Sequence, residues 1–253
     1  MDIENKYGTL ATQKGLLGLL KEFHSFCVQN NVAYSLAAGS LLGAVRHDGF
    51  IPWDDDLDVF VDRGNYNRII QLLSNHDSLV TVRDGKELLW IDRVRRKADT
   101  DRDGHLPTLD LLVFDHIPDN GFKRKFKLLC IMCLQGMMKP KLNLKKGSLF
   151  YKVGSLFSYC LGFVFPYKLK KKIYRRISQW GNNKATKSIA NYNGPFEIMR
   201  KEYPSNMLDK IILHVFEDTQ AYIMEDWDTC LTISFGDYMT PPREEDRRPQ
   251  HGG

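Results

Sequence analysis

Residues Gly39–Phe60 read GSLLGAVRHDGFIPWDDDLDVF, and the fold of the chain turns on how the end of that stretch is read. Asp56–Asp62, DLDVFVD, alternates polar and apolar residues with the period of a strand. Carried back two residues, the alternation sends Asp54, Asp56 and Asp58 to one face and Leu57 and Val59 to the other. Three carboxylates on one face repel and raise one another's pKa unless a cation sits among them. Hard oxygen donors suit Mg²⁺, with Mn²⁺ as the alternative ion, and Mg²⁺ takes one or two carboxylates together with water and substrate phosphate. Farther on, Leu109-Asp110-Leu111 puts a lone carboxylate inside an apolar strand, where an unpaired charge is costly. Its expected place is beside the first group, completing a two-metal clamp. Acidic runs are commonly solvated loops, and Asp54-Asp55 alone fits that description. Asp58 and Asp110, embedded in apolar residues, do not.

Upstream, Gly39-Ser40 stands ahead of a short helix, Leu41–His47. Such a turn can offer backbone N–H groups and a hydroxyl to a phosphate at the positive end of the helix dipole. Arg46, on the same helix, has the fork geometry that matches phosphate. A Gly-Ser turn on a helix, then Asp-x-Asp on a following strand, then a lone Asp on a later strand is the order found in the nucleotidyltransferase superfamily.

The surrounding chain supplies a sheet and helices for that site. Thr9–Asn30 has Leu16, Leu20, Phe23 and Cys27 on one helical face. Strands are expected at Ala33–Ala37, Leu79–Arg83, Glu87–Val94 and Thr108–Phe114, and helices at Tyr66–Ser74 and Glu225–Phe235. The expected class is α+β: a nucleotidyltransferase-like mixed sheet flanked by helices, with a basic, mainly helical insert. The divisions are 1–119 for the catalytic core, 120–196 for the insert and 197–253 for a segment that completes the catalytic domain.

The insert is marked by charge. Asn120–Phe196 contains no Asp or Glu and 17 of the chain's 36 Lys and Arg residues, which leaves 19 basic and 31 acidic residues elsewhere. A span at +17 beside a remainder at −12 meets something anionic. Lys145-Lys146 and Lys168–Lys172 flank the apolar run Leu149–Tyr167, which Lys152, Gly154 and Gly162 interrupt, so amphipathic helices on an anionic membrane surface are expected rather than a membrane span. The apolar runs and few stacking aromatics argue against nucleic acid. Five scattered cysteines, and no signal-peptide pattern before Asn30, point to reduced thiols and a cytoplasmic protein peripheral to the inner face of the cell membrane. Cys130 and Cys133 lack a second pair at zinc spacing and read as packing residues.

Gly39–Phe60 closely resembles the LicD family, as do Thr108–Pro118, TLDLLVFDHIP, and the tail Phe235–His251, FGDYMTPPREEDRRPQH. The basic middle span resembles it least. The resemblance implies a Mg²⁺-dependent phosphotransferase of nucleotidyltransferase-like fold. The best known members move phosphocholine from CDP-choline to a sugar of a cell-surface glycan, and fukutin-like proteins move ribitol phosphate from CDP-ribitol. Asp56, Asp58 and Asp110 match the family's metal-binding carboxylates, Asp54 another acidic position, and Gly39, Ser40 and Arg46 its nucleotide-side positions. For the diphosphate leaving group the candidates are Arg93 and Arg95. Trp53 is placed to stack on cytosine, and Trp90, Trp227 and Tyr238 are candidate walls for a headgroup. The expected reaction uses a CDP-choline or CDP-polyol donor and a glycan or lipid-linked sugar acceptor, releases CMP, and relies on Asp56, Asp58 and Asp110. Its rivals are a nucleotidylyltransferase that releases pyrophosphate and a non-catalytic membrane-surface binding protein.

Overall fold

Helix α1 (Leu10–Gln29) buries Leu16, Leu19, Leu20, Phe23, Phe26 and Cys27, so the face expected from its periodicity is the one turned inward. The computed structural model describes residues 6–82, 91–99, 106–139, 142, 149–182, 184–194 and 196–249. The chain divides into two units, the first made of Met1–Arg83, Ile91–Phe114 and Asn206–Gly253, the second of Asp84–Trp90 and Asp115–Ser205.

In the first unit, β1 (Ser35–Leu36), α2 (Ala38–His47), β2 (Asp58–Asp62), α3 (Arg63–Leu73), β3 (Leu79–Val82), β4 (Asp92–Arg96) and β5 (Leu109–His116) follow in chain order. The sheet runs β1-β2-β5-β4-β3, with β2 and β5 parallel and the other pairs antiparallel. The expected α+β class, a mixed sheet flanked by helices, is what forms. Its core is apolar between charged ends: Val59, Phe60 and Val61 of β2 and Leu111–Phe114 of β5 are buried, and the rings of Phe60 and Phe114 stack 4.2 Å apart. Asp62 ends β2 and caps α3, its carboxylate accepting the Asn65 N–H at 2.8 Å.

Two of the differences from the expected boundaries bear on the site. The strand expected from Asp56 begins at Asp58, because β1 spans just two residues before the chain turns into α2, leaving nothing on that side for residues before Asp58 to pair with. Helix α2 begins at Ala38 and not Leu41, so Gly39 and Ser40 lie in its first turn, entered through Ala38 at φ 46°. Of the strand expected at Glu87–Val94, residues 87–90 lie outside the described residues, as does Arg83 of the strand expected before it.

The first unit is completed by β8 (Ile211–Phe216), β9 (Thr219–Met224) and α8 (Trp227–Phe235); β8 and β9 form a hairpin that sequence reading missed. Ser35 Oγ accepts the Met224 N–H at 2.9 Å, tying β9 to β1. At the hairpin tip Glu217, at φ 55°, donates its N–H to Asp48 O at 2.6 Å and accepts the Phe50 N–H at 2.9 Å on its carboxylate.

The second unit holds α4 (Gly121–Met138), α5 (Leu149–Gly162), α6 (Tyr167–Ser178), β6 (Ser188–Asn191), α7 (Phe196–Met199) and β7 (Tyr203–Pro204). Ile117, Ile131, Leu134, Tyr174, Ala190 and Tyr192 form its core. Two of its lysines are internal. Lys127, fully buried, donates to His116 O at 2.9 Å and Trp180 O at 2.8 Å and lies 4.5 Å from the centre of the Tyr192 ring. Lys170 donates to Met137 O and Gly162 O at 2.9 and 2.8 Å, neutralising the negative ends of α4 and α5 together. No helix among the described residues is long and apolar enough to cross a membrane, and the five cysteines are free.

Candidate active site

The parallel pairing of β2 and β5 sets Asp58 beside Asp110, and the antiparallel pairing of β5 and β4 sets Asp110 beside Arg93. Residues paired across strands share a face, so Asp58, Asp110 and Arg93 form a row over three neighbouring strands. Arg93 Nε donates to Asp110 Oδ1 at 2.8 Å. The turn before β2 adds more charge: carboxylate oxygens of Asp54, Asp55 and Asp56 all lie within 4.8 Å of one another. Asp55 therefore joins the cluster, although an alternating strand would have pointed it away. The reason is the late start of β2, since residues 54–57 are irregular chain after the turn at 52–53, with no pleat to separate odd from even side chains.

That turn is held from both ends of the unit. Gln13 Nε2 donates to Ile51 O at 3.0 Å and Asp54 O at 2.8 Å, and the Thr9 hydroxyl donates to Pro52 O at 2.7 Å. From the other side, the grip of Glu217 on Asp48 and Phe50 fixes the chain where it leaves α2. Asp54 lies directly against Gly39: a Cβ there would collide with its carboxylate Oδ2. The first turn of α2 thus faces a carboxylate of the protein itself, and glycine is what lets it approach.

The crowding shows in the acidities. Burial, then Asp110, Asp56 and Asp54 push the Asp58 carboxyl well above the ordinary carboxylate range, against a smaller opposing effect of Arg93. Burial first and Asp56 second raise Asp54 to about 7, with backbone N–H donors of Asp56 and Asp55 opposing. Carboxylates so placed are held protonated unless a cation joins them. The donor set is all hard oxygen, in neighbouring groups on a fixed turn and a fixed strand, and these residues fit a divalent ion of the Mg²⁺ or Mn²⁺ type.

The nucleotide-side expectations fall in two places. Ser40 is buried with its hydroxyl accepting the Asp58 N–H at 2.9 Å, locking α2 to β2 at the first metal-type carboxylate. Arg46 Nη1 donates to Tyr238 O at 2.8 Å, and its Nε is buried without a hydrogen-bond partner. The Trp53 ring has the Arg247 guanidinium 5.0 Å from its centre and Tyr7 and His47 at its edge. Sequence reading missed Arg247; its signal was the Arg247-Arg248 pair in the tail block already noted. Arg95 donates to Asp99 O at 3.4 Å. Trp90 lies outside the described residues, Trp227 is half-buried at the start of α8, and the Tyr238 hydroxyl donates to Asp228.

Residues 31–126 match the model of the LicD/FKTN/FKRP nucleotidyltransferase domain. That stretch is similar to a LicD-family nucleotidyltransferase domain. Over 260 residues it is 29% identical to the lipopolysaccharide cholinephosphotransferase LicD of Haemophilus influenzae, covering 93% of this chain and 92% of that protein. Shorter stretches match two uncharacterised proteins: RP689 of Rickettsia prowazekii, 41% identical over 64 residues (25% of this chain, 24% of that one), and RT0683 of Rickettsia typhi, 52% identical over 44 residues (17% and 14%). The LicD match contains every member of the carboxylate row and Arg93, whereas Tyr238 and Arg247 lie beyond its end.

Proposed function

We propose that this chain transfers phosphocholine, or a related polyol phosphate, from a CDP-linked donor to a sugar hydroxyl of a cell-surface glycan or its lipid-linked precursor. The observation that carries this reading is the match along nearly the whole length of a lipopolysaccharide cholinephosphotransferase. The acidic row Asp54, Asp56, Asp58 and Asp110 adds the donor set that phosphoryl transfer from a diphosphate needs. An acceptor hydroxyl attacks the phosphorus bearing the headgroup, the bond from that phosphorus to the oxygen of CMP breaks, and headgroup and phosphate move together. Asp54, Asp56, Asp58 and Asp110 would hold Mg²⁺, which when bound neutralises diphosphate charge. Asp110 takes the acceptor proton on its carboxylate. Arg247, beside Trp53, and Arg46, held by Tyr238 O, supply positive charge for the nucleotide side. The reaction is assigned to the inner face of the cell membrane, where a lipid-linked acceptor is available; the basic, carboxylate-free span supports that location.

The family's description as a nucleotidyltransferase domain favours one rival, transfer of the nucleotide itself with release of pyrophosphate. Both reactions use the same carboxylates, so the products decide. Purified protein with Mg²⁺ and CDP-choline or CDP-ribitol is expected to yield CMP, to stop with EDTA, and to form no pyrophosphate from CTP with any sugar phosphate. Steady pyrophosphate from CTP, with no CMP from any CDP conjugate, overturns the proposal in favour of the rival.

A further inference from the structure

Val153, Leu156, Phe157, Cys160 and Leu161 stand on α5 at the spacing by which a helix buries one face, yet all five are exposed, Phe157 at 68%. Among the described residues, the buried positions of α5 are small ones instead, Ser158 and Gly162. Ser158 lies where a Cβ on Gly136 of α4 would collide with it, and a Cβ on Gly162 would strike the Met137 backbone. Small side chains let α5 sit close on α4 and leave the large apolar ones outside. The outward stripe continues past the helix end through Phe163 at 76% and Val164 at 70% exposed.

The next helix carries the charge. Lys168, Lys171, Lys172, Arg175, Arg176 and Gln179 line an open recess of about 320 Å³ along α6, with Leu169 and Ile173 exposed beside it. None of the ion pairs formed among the described residues uses Lys168, Lys172, Arg175 or Arg176, and the sequence from Asn120 to Phe196 has no carboxylate.

Charge and shape together select the occupant. A second copy pairing through the apolar stripe by a two-fold axis would lay two carboxylate-free basic helices alongside each other, which repulsion opposes. Nucleic acid complements α6 but has no use for Val153, Leu156, Leu161 and Val164. An anionic bilayer takes both, phosphates on the bases and the acyl boundary on the apolar stripe. The geometry points to the α5–α6 face as a docking surface for an anionic lipid bilayer, with Phe157, Phe163 and Val164 inserted at the headgroup–acyl boundary and Lys168, Lys172, Arg175 and Arg176 on lipid phosphates. This deepens the membrane location proposed above and rests on that part of the reading, not on the reaction.

Co-sedimentation of the full chain with vesicles tests it. Binding is expected to mixed phosphatidylcholine–phosphatidylglycerol vesicles, to weaken as NaCl rises, and to be far weaker with phosphatidylcholine alone. Each basic residue near such a surface contributes about 1 kcal/mol, so the double variant Lys172→Gln/Arg176→Gln is expected to lose about 30-fold in partitioning. Phe163→Ser/Val164→Ser is expected to lose at least about 10-fold, in low and high salt alike. All four positions are exposed, and unchanged melting temperatures confirm that the variants fold. Equal binding to neutral and charged vesicles, or none to either, overturns the surface. So does a dimer, seen by sedimentation, that the Phe163/Val164 variant dissolves. Both variants are expected to keep CMP release from a soluble CDP donor, so a parent that binds vesicles but yields no CMP loses the proposed reaction and keeps this surface.

Discussion

Arg93 Nε meets Asp110 Oδ1 at 2.8 Å, and Asp58, next to Asp110 in the sheet register, draws on the same guanidinium. One cation thus offsets part of the charge in a row that the neighbouring turn makes more acidic still. Replacing it by Arg93→Gln is expected to lower the stability of the metal-free protein by about 1–2 kcal/mol, the scale of a half-buried pair discounted for solvent. Saturating Mg²⁺ should recover most of the loss. Urea unfolding with and without Mg²⁺ measures both; a loss of the same size with Mg²⁺ present would mean that Arg93 serves packing and not charge.

Asp56→Asn and Asp58→Asn keep side-chain shape and remove a metal-type ligand. Each is expected to cut CMP release by at least about three orders of magnitude, several kcal/mol of transition-state stabilisation, with an unchanged circular dichroism spectrum. Activity close to that of the parent in either variant would refute the assignment.

Asp54 carries a pH signature. Its carboxyl is raised to about 7 in the folded protein from an ordinary value of 3.8, so the unfolded chain gives up its proton first. Stability from this group is then fully present below about pH 4, falls as pH rises toward 7, and levels above it. In EDTA the melting temperature should follow that course, and Asp54→Asn should flatten it and raise the stability at pH 8 by about 1–2 kcal/mol after allowance for solvent. With Mg²⁺ the order should reverse, because the ion favours the charged form. A parent whose melting temperature in EDTA is level from pH 4 to 7 contradicts the burial argument.

Much of this was legible in the residues. Asp58 and Asp110 stand out because each interrupts an apolar run, and that contrast is local. The place of Asp55 was not legible, since alternation holds for a pleated strand and the chain just before Asp58 is irregular. The hairpin Ile211–Met224 escaped because its turn, Glu217-Asp218, lacks the glycine or asparagine that usually marks a positive φ. Nothing in sequence separates Lys127 and Lys170, which are internal, from the surface lysines around them. The approach of Arg247 to Trp53 joins residues 194 positions apart, beyond any local pattern.

Glu217 yields a structural prediction. Glu217→Ala removes the acceptor of the Phe50 N–H and is expected to cost about 1–2 kcal/mol, while also raising the Mg²⁺ concentration needed for half-maximal thermal protection. Glu217→Gln retains a carbonyl for that N–H and should restore both. If alanine and glutamine weaken Mg²⁺ protection equally, the effect comes from charge and not from the hold on the turn.

The acidic turn is stitched to Gln13 on one side and, through Phe50, to Glu217 on the other. During synthesis Asp54, Asp55 and Asp56 emerge long before Glu217, and the turn that gathers them lacks that second hold until the hairpin arrives. High-separation contacts of this kind form late in folding. A nascent or clipped chain lacking the hairpin would therefore present these acids without that hold, so that the metal site and the transfer proposed above are reserved for the finished protein.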